Sequence, residues 1–154
     1  MSSITLQTGV GKKFKVCSCH YDLVKDRRWN SDKQGYIQSR HKNSTVKIHR
    51  IITDAPKELD VDHINGDVTD NRCSNLRLCT ASTNTANSRL RSDNKTGFRG
   101  VFFDKKKWVC RIGFQNQKLY FGRFETAEEA ARKYDEEIIK LFGEFARLNF
   151  KGVN

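Results

Sequence analysis

The sequence predicts an α+β fold, and three patterns lead to this class. Residues 59–90 contain two short strand-like runs around a polar loop, followed by a helical run. Residues 98–124 contain three runs rich in aromatic and β-branched residues, separated by polar turns. Residues 126–142 place apolar side chains three and four positions apart, the spacing of an amphipathic helix. We therefore predict a strand–loop–strand–helix unit, followed by a three-stranded antiparallel sheet packed on one helix.

The first sixty residues are predicted to be a small α+β scaffold. Its predicted elements are a helical turn at 21–29, two hairpin strands at 35–38 and 44–48 joined by His41-Lys42-Asn43, and a helical turn at 49–53. His49 is interpreted as a packed core residue. Arg50, close ahead of an Asp-His pair, is a candidate phosphate contact.

Residues 61–87 carry the candidate chemistry. Asp62 stands beside His63, Asn75 follows Asp62 by 13 positions, and Asn84 follows Asn75 by 9. Metal-assisted chemistry on a phosphate needs a hard oxygen ligand, a base and a second oxygen ligand, and this stretch offers all three. Asn84 and Asn87 are three positions apart, so they share one face of the predicted helix.

The C-terminal third is predicted to be a separate module. The polar, basic stretch 91–97 is the expected linker. In the helix that follows the three strands, Thr126 is the expected N-cap and Gly143 the expected stop. We expect three domains or segments: residues 1–90 with a core at 45–90, the linker 91–97, and the module 98–150.

Charge is distributed unevenly along the chain, whose net charge is +11. Residues 88–123 contain ten basic and two acidic side chains, whereas residues 124–150 contain four basic and seven acidic ones. The basic block is the linker with the strands, and the acidic block is the helix behind them. A basic sheet face with interleaved aromatic side chains predicts nucleic-acid binding.

The five cysteines do not follow the paired C-x2-C zinc pattern. Cys17, Cys19, His20 and Cys73 are an alternative zinc cluster, but the spacing favours reduced thiols over structural zinc. The sequence has no apolar leader and no apolar run long enough to span a membrane. We therefore expect no membrane partner and a cytoplasmic location.

Both halves resemble known families. V-D-H-I-N-G-D-V-T-D-N-R-C-S-N-L-R-L-C-T-A-S-T-N resembles the HNH nuclease motif, in the variant of phage and intron-encoded homing endonucleases with Asn as third motif residue. T-G-F-R-G-V-F, W-V-C-R-I-G, L-Y-F-G-R-F-E-T-A-E-E-A-A-R-K-Y-D and F-A-R-L-N-F resemble the AP-two/ERF (ethylene-response-factor) DNA-binding domain.

The first resemblance implies a ββα-metal unit and a role for each candidate residue. Asp62 and Asn84, with Asn87 as the alternative, would bind one divalent metal ion, Mg²⁺ or Mn²⁺. His63 would be the general base, and Asn75 would hold the loop and orient His63.

The second resemblance and the basic sheet predict contacts with double-stranded DNA. Arg50 of the N-terminal part is a further candidate contact. The candidates are Arg50, Arg99, Lys105, Lys106, Trp108, Arg111, Lys118, Tyr120 and Arg123. Phe102, Asp104 and Gly113 depart from the plant pattern, so sequence preference does not carry over from plant domains.

We therefore expect a metal-dependent DNA endonuclease of the homing or phage-encoded type. We expect a monomer or dimer that takes no small-molecule substrate. If it is phage-encoded, it would act in the cytoplasm of a bacterial host cell. The alternatives are a non-catalytic DNA-binding transcriptional regulator with a vestigial HNH fold, and an RNA-binding protein that stacks bases on Trp108 and Tyr120.

Overall fold

The computed structural model describes residues 2–41, 44–88, 90 and 92–150, with the backbone alone at residue 41. The chain divides into two compact units, Met1–Ala81 and Ser82–Asn154. The mixed α+β class with several sheets is confirmed. The boundaries expected from the sequence stay a prediction. The hairpin connection at residues 42 and 43 and linker residue 91 lie outside the described part of the chain.

The N-terminal unit is built from short elements. They are β1 (Ser3–Gln7), β2 (Lys13–Cys17), α1 (Tyr21–Val24), β3 (Asn30–Ser31), β4 (Ile37–His41), β5 (Ser44–Lys47), α2 (Ile48–Thr53), β6 (Asp60–His63), β7 (Asp70–Asn71) and β8 (Leu76–Cys79). Single 3-10 turns occur at Ser18–His20 and Cys73–Asn75. Both strands predicted around the polar loop are present, as β6 and β8, and they pair antiparallel.

The N-terminal strands contribute to a sheet that local sequence patterns do not reveal. β1 pairs antiparallel with β2, and β2 pairs in parallel with β7, with Val16 opposite Asn71. The Lys15 amide also donates to the Thr69 carbonyl at 2.9 Å. A parallel pair needs a long connection, and here more than fifty residues separate the two strands. This pairing attaches the polar loop before β8 to the start of the chain.

One hydrophobic core supports these elements. Phe14, Val16, Val24, Ile37 and Ile48 are almost completely buried, and Trp29, Ile52, Val61 and Leu76 complete the cluster. Val61 lies directly ahead of Asp62, and Leu76 lies opposite His63. Close packing restricts side-chain movement, so the core fixes the strands that carry the Asp-His pair.

The C-terminal unit has one sheet and one long helix. It contains β9 (Val101–Asp104), β10 (Lys107–Phe114), β11 (Gln117–Phe124) and α4 (Ala127–Phe142), with the antiparallel strand order β11-β10-β9. Thr126 caps α4 in a capping box with Glu129, and Gly143 ends the helix at φ +53°. A further helix, α3 (Ala81–Asn87), crosses the division between the two units.

The two hairpin turns of the C-terminal sheet have a left-handed backbone. Lys105 and Lys106 have φ of 47° and 66°, and Gln115 and Asn116 have φ of 48° and 62°. Positive φ at both central residues is the mark of the type I′ turn, which matches the right-handed twist of paired strands. The sheet therefore uses non-glycine residues where glycine has the lower conformational cost.

The C-terminal core lies between the sheet and α4. Val101, Cys110, Ile112, Ala130, Ala131, Tyr134, Ile138 and Phe142 are buried there, and Phe145, Leu148 and Phe150 pack against them. Ala86 of α3 belongs to the same core. Within the described residues, none of the helices has the length and apolar character needed to cross a membrane.

Candidate active site and nucleic-acid interface

His63 is buried at the end of β6, with 4% of its surface exposed. Its Nε2 lies 3.2 Å from Oδ1 of Asn71, a fully buried residue of β7. The Asn71 amide nitrogen is 3.5 Å from the Val68 carbonyl, which orients Oδ1 towards the histidine. An oxygen acceptor requires the proton on Nε2, so this tautomer places the basic lone pair on Nδ1.

Two further rings contact His63. The His49 ring lies 5.2 Å away, centroid to centroid and nearly perpendicular, and the Tyr36 ring lies 5.9 Å away. Tyr36 and His49 are 5.5 Å apart, so the three rings form one cluster. His49 is buried, as the sequence predicts, and its Nδ1 has no hydrogen-bond partner among the described residues.

Burial controls the charge of both histidines. Desolvation, with a smaller contribution from repulsion by the protonated form of His63, lowers the pKa of His49 to about 3. Desolvation also lowers the pKa of His63, against the opposing effects of the Asn71 hydrogen bond and of Asp62. Both rings are therefore neutral at pH 7, and a neutral imidazole can accept a proton.

Asp62 is the buried acid of the site, with 6% exposed. It lies opposite Arg77 in the β6–β8 pair, and Nε and Nη2 of Arg77 donate to its Oδ2 at 2.9 and 2.8 Å. Arg77 was not among the residues singled out from the sequence. The arginine holds the carboxylate in one orientation on a paired strand, and carboxylate oxygens are suitable ligands for a hard metal ion.

Asn75 closes the loop between β6 and β8. Its Oδ1 accepts the Asn65 amide at 2.9 Å, its Nδ2 donates to the Asp70 carbonyl at 2.7 Å, and its carbonyl accepts the Ile64 amide. Asp70 in turn binds Arg72 through both carboxylate oxygens, which lowers the pKa of Asp70. The residue placed against His63 Nε2 is Asn71, which the sequence reasoning did not select.

The two candidates for the second ligand lie on α3, in the part of that helix that belongs to the C-terminal unit. Asn84 is half-buried, and Asn87 is buried with 7% exposed. Ala86, between them, packs into the C-terminal core.

Arg50, a proposed phosphate contact, makes local contacts. Its guanidinium donates to the carbonyls of Leu59, Ala55 and Pro56 at 3.0, 3.2 and 2.6 Å. These bonds fix the chain between α2 and β6. Its role as a DNA contact stays a prediction.

The candidate DNA-binding residues of the sheet differ in exposure. Arg111 lies opposite Tyr120, and Lys118 opposite Gly113, on the exposed face. Tyr120 is 54% exposed. Lys105 and Lys106 are exposed in the first turn. This face can present cations and an aromatic ring to a polyanion.

The other sheet candidates are partly engaged inside the C-terminal unit. Arg123 donates to Asp104 at 2.7 Å. Trp108 is half-buried against the core and contacts the Phe103 ring at 5.0 Å. Arg99 donates to the Ser88 carbonyl, and burial lowers the pKa of its guanidinium. Phe102, one of the departures from the plant pattern, is 51% exposed.

Comparison with known proteins decides the family. The model of the HNH endonuclease family matches residues 46–86, the region that holds α2, β6, β7, β8 and most of α3. An uncharacterized HNH endonuclease of Acanthamoeba polyphaga mimivirus is 32% identical over 136 residues, which cover 84% of this chain and 70% of the relative. The chain belongs to the HNH endonuclease family.

This HNH protein also has plant relatives over its C-terminal part. The ethylene-responsive transcription factor RAP2-11 of Arabidopsis thaliana is 50% identical over 60 residues, which are 37% of this chain and 24% of the factor. The dehydration-responsive element-binding protein 1J of Oryza sativa subsp. japonica is 45% identical over 58 residues, 34% of this chain and 24% of that protein. Both resemblances are thus confirmed, and the HNH protein carries an AP-two/ERF-like domain. No solved structure matches the chain.

Proposed function

We propose that this HNH protein is a metal-dependent endonuclease that hydrolyses phosphodiester bonds of double-stranded DNA. The observation that carries the proposal is the buried pair Asp62 and His63, with His63 Nε2 bonded to Asn71, inside the region that matches the HNH family. The pair supplies a neutral base beside a carboxylate oxygen ligand, which is the chemistry that phosphodiester hydrolysis requires.

In the proposed reaction, Nδ1 of His63 takes a proton from the attacking water. Asn71 holds the ring in the tautomer that leaves Nδ1 basic, and burial keeps the ring neutral at pH 7. Asn75 is a positioning residue, because its hydrogen bonds with Asn65, Asp70 and Ile64 fix the loop that follows the histidine. Asp62 provides negative charge at the neighbouring position of the same strand.

A divalent metal ion fits the donor chemistry of this site. We propose Mg²⁺ or Mn²⁺, one per active site, held by Asp62 and by Asn84, with Asn87 as the alternative. Carboxylate and amide oxygens suit these ions, which keep further positions for water and phosphate. When bound, the ion would neutralise charge on the phosphate and the leaving oxygen. The ββα-metal arrangement is part of this proposal.

We further propose that the AP-two/ERF-like domain brings the nuclease to duplex DNA through the exposed sheet face. Arg111, Lys118, Tyr120 and the two turn lysines support this proposal by their exposure. Cations on this face release counterions from phosphates, and Tyr120 and Phe102 can contact sugars and thymine methyl groups. A homing or other mobile endonuclease is the biological role that we propose, and the viral origin of one relative is consistent with it.

The test is cleavage of supercoiled plasmid and of a randomised duplex library, with Mg²⁺ or Mn²⁺ and with EDTA. Sequencing of the cut library ends removes the need to know the site in advance. We expect cleavage by the native chain and by Asp26→Asn, an exposed acid outside the site. We expect none by Asp62→Asn or His63→Ala. Loss in only one of Asn84→Ala and Asn87→Ala would identify the second ligand.

A DNA-binding regulator, the alternative function, would give a different result in the same experiment. Tight duplex binding without cleavage of either substrate, in both metals, would favour a DNA-binding regulator. The names of the plant relatives, which are transcription factors, make this the relevant second candidate. Preferential binding of single-stranded RNA would instead favour the RNA-binding alternative.

A further inference from the structure

Four side chains of the N-terminal unit that play no part in the proposed nuclease chemistry converge on one point. The ligand atoms of Cys17, Cys19, His20 and Cys73 all lie within 4.8 Å of one another. Three of these residues come from the end of β2 and the adjoining 3-10 turn. Cys73 comes from the 3-10 turn after β7, more than fifty positions along the chain. The parallel pairing of β2 with β7 is what brings Cys73 to the other three.

The distances between the ligand atoms are close to those of tetrahedral metal coordination. Cys73 Sγ lies 3.2 Å from His20 Nδ1 and 2.9 Å from Cys17 Sγ, and Cys19 Sγ lies 3.4 Å from His20 Nδ1. Metal–sulfur and metal–nitrogen bonds of about 2.3 and 2.0 Å require ligand separations of about 3.5 to 3.8 Å. The cluster matches this size once the two sulfurs move apart by less than about 1 Å and the most widely separated ligand atoms, which lie within 4.8 Å, approach by up to about 1 Å.

The chemistry of the group is that of zinc. Three thiols and one imidazole form a Cys₃His set, and soft thiolate ligands with tetrahedral geometry select Zn²⁺. The Cys73 amide donates to Cys17 Sγ at 3.1 Å. Amide donors of this kind stabilise thiolate ligands and fix their orientation. The cysteines are free thiols, so they are available as ligands once they lose their protons to the solvent.

We propose that Cys17, Cys19, His20 and Cys73 bind one structural Zn²⁺ ion. The ion would join the end of β2 to the loop of residues 70–75. That loop contains Asn71, which contacts His63, and Asn75, which closes the loop. The zinc site is separate from the Mg²⁺ or Mn²⁺ site of the nuclease and does not depend on nuclease activity. The sequence spacing argued against zinc because C-x-C-H with one distant cysteine is not the paired pattern. In the folded unit, the pairing of β2 with β7 brings the distant cysteine close to the other three ligands.

The test measures metal rather than cleavage. The full chain, purified with reductant and without chelator, should contain about one zinc per chain by mass spectrometry. In zinc-free protein, Co²⁺ should bind with equal stoichiometry and give the visible spectrum of tetrahedral thiolate coordination. Cys73→Ser and His20→Ala should weaken zinc binding by at least about tenfold. Cys79→Ala, a buried cysteine of the same unit outside the cluster, should retain it, and so should His63→Ala.

Several outcomes would overturn the proposal. One is protein with reduced thiols that neither contains zinc nor gives a cobalt spectrum. Another is a Cys17–Cys73 disulfide in protein purified without reductant, with no zinc bound. Unchanged zinc content in the double variant Cys73→Ser with His20→Ala would do so too. If these variants do not fold, Cys19→Ser replaces them, because Cys19 is exposed. Zinc bound by an inactive protein would leave this inference intact while removing the nuclease proposal.

Discussion

Nε2 of His63 lies 3.2 Å from Oδ1 of Asn71, and both side chains are buried. The contact joins β6 to β7, and β7 is held in turn by β2. The tautomer of the proposed base therefore depends on a strand pairing with the start of the chain. This relationship gives Asn71 a positioning role that can be measured through the pH dependence of cleavage.

Asn71→Asp should move the acid limb of the cleavage profile to higher pH. A carboxylate in place of the amide stabilises the imidazolium form and raises the pKa of His63, so more alkaline solution is needed to deprotonate the base. Asn71→Ala should lower kcat by about 100-fold, because the ring loses its fixed orientation. The measurement is kcat/KM against pH for both variants. An acid limb that does not move in Asn71→Asp would show that Asn71 does not act on the base.

His49→Leu should make the protein less sensitive to acid. The pKa of His49 is about 3 in the folded chain, and its ordinary value is 6.5. The unfolded chain therefore binds a proton that the folded chain does not, and stability falls as the pH drops from 6.5 towards 3. The loss from this residue approaches about 1.4 kcal/mol per pH unit within that window. Urea unfolding at pH 7.0, 5.5 and 4.5 measures it. An equally steep loss in His49→Leu would contradict the assignment.

Asp104→Ala should strengthen DNA binding. Asp104 holds the Arg123 guanidinium at 2.7 Å, and both side chains are about 40% exposed. An exposed pair contributes little stability, about 0.2–1 kcal/mol, so its loss is tolerated. The variant gains a free cation on the sheet and loses an acid, so log Kd should depend more steeply on log[salt], by about one unit. The matched control is Glu136→Ala on α4, which should leave the slope unchanged if the sheet is the DNA-binding face.

Lys106→Gly should stabilise the protein and weaken DNA binding at the same time. Lys106 has φ of 66°, a conformation that costs a non-glycine residue about 1–2 kcal/mol. Lys106→Ala removes the same charge without relieving the backbone. In both variants the slope of log Kd against log[salt] should fall by up to about one unit. Only the glycine variant should unfold at a higher temperature. Thermal unfolding and fluorescence anisotropy with duplex DNA separate the two effects.

Local patterns in the sequence determined most of the secondary structure and the identity of the Asp-His pair. Strand alternation, the Thr126 cap and the spacing of apolar residues in α4 all act within a few residues of one another. These features can therefore be predicted from the sequence without knowledge of the tertiary structure. The Asp-His pair and the basic block are likewise continuous in sequence, so the family resemblances could be stated from them.

The tertiary structure alone decided which side chains surround that pair and where the cysteines meet. Asn71 reaches His63, Arg77 reaches Asp62, and Cys73 reaches Cys17 through strand pairings rather than through sequence neighbourhood. The β2–β7 pairing spans more than fifty residues, and no local periodicity encodes it. Such contacts form because the core brings distant strands together, and their partners are fixed only when the whole unit is folded.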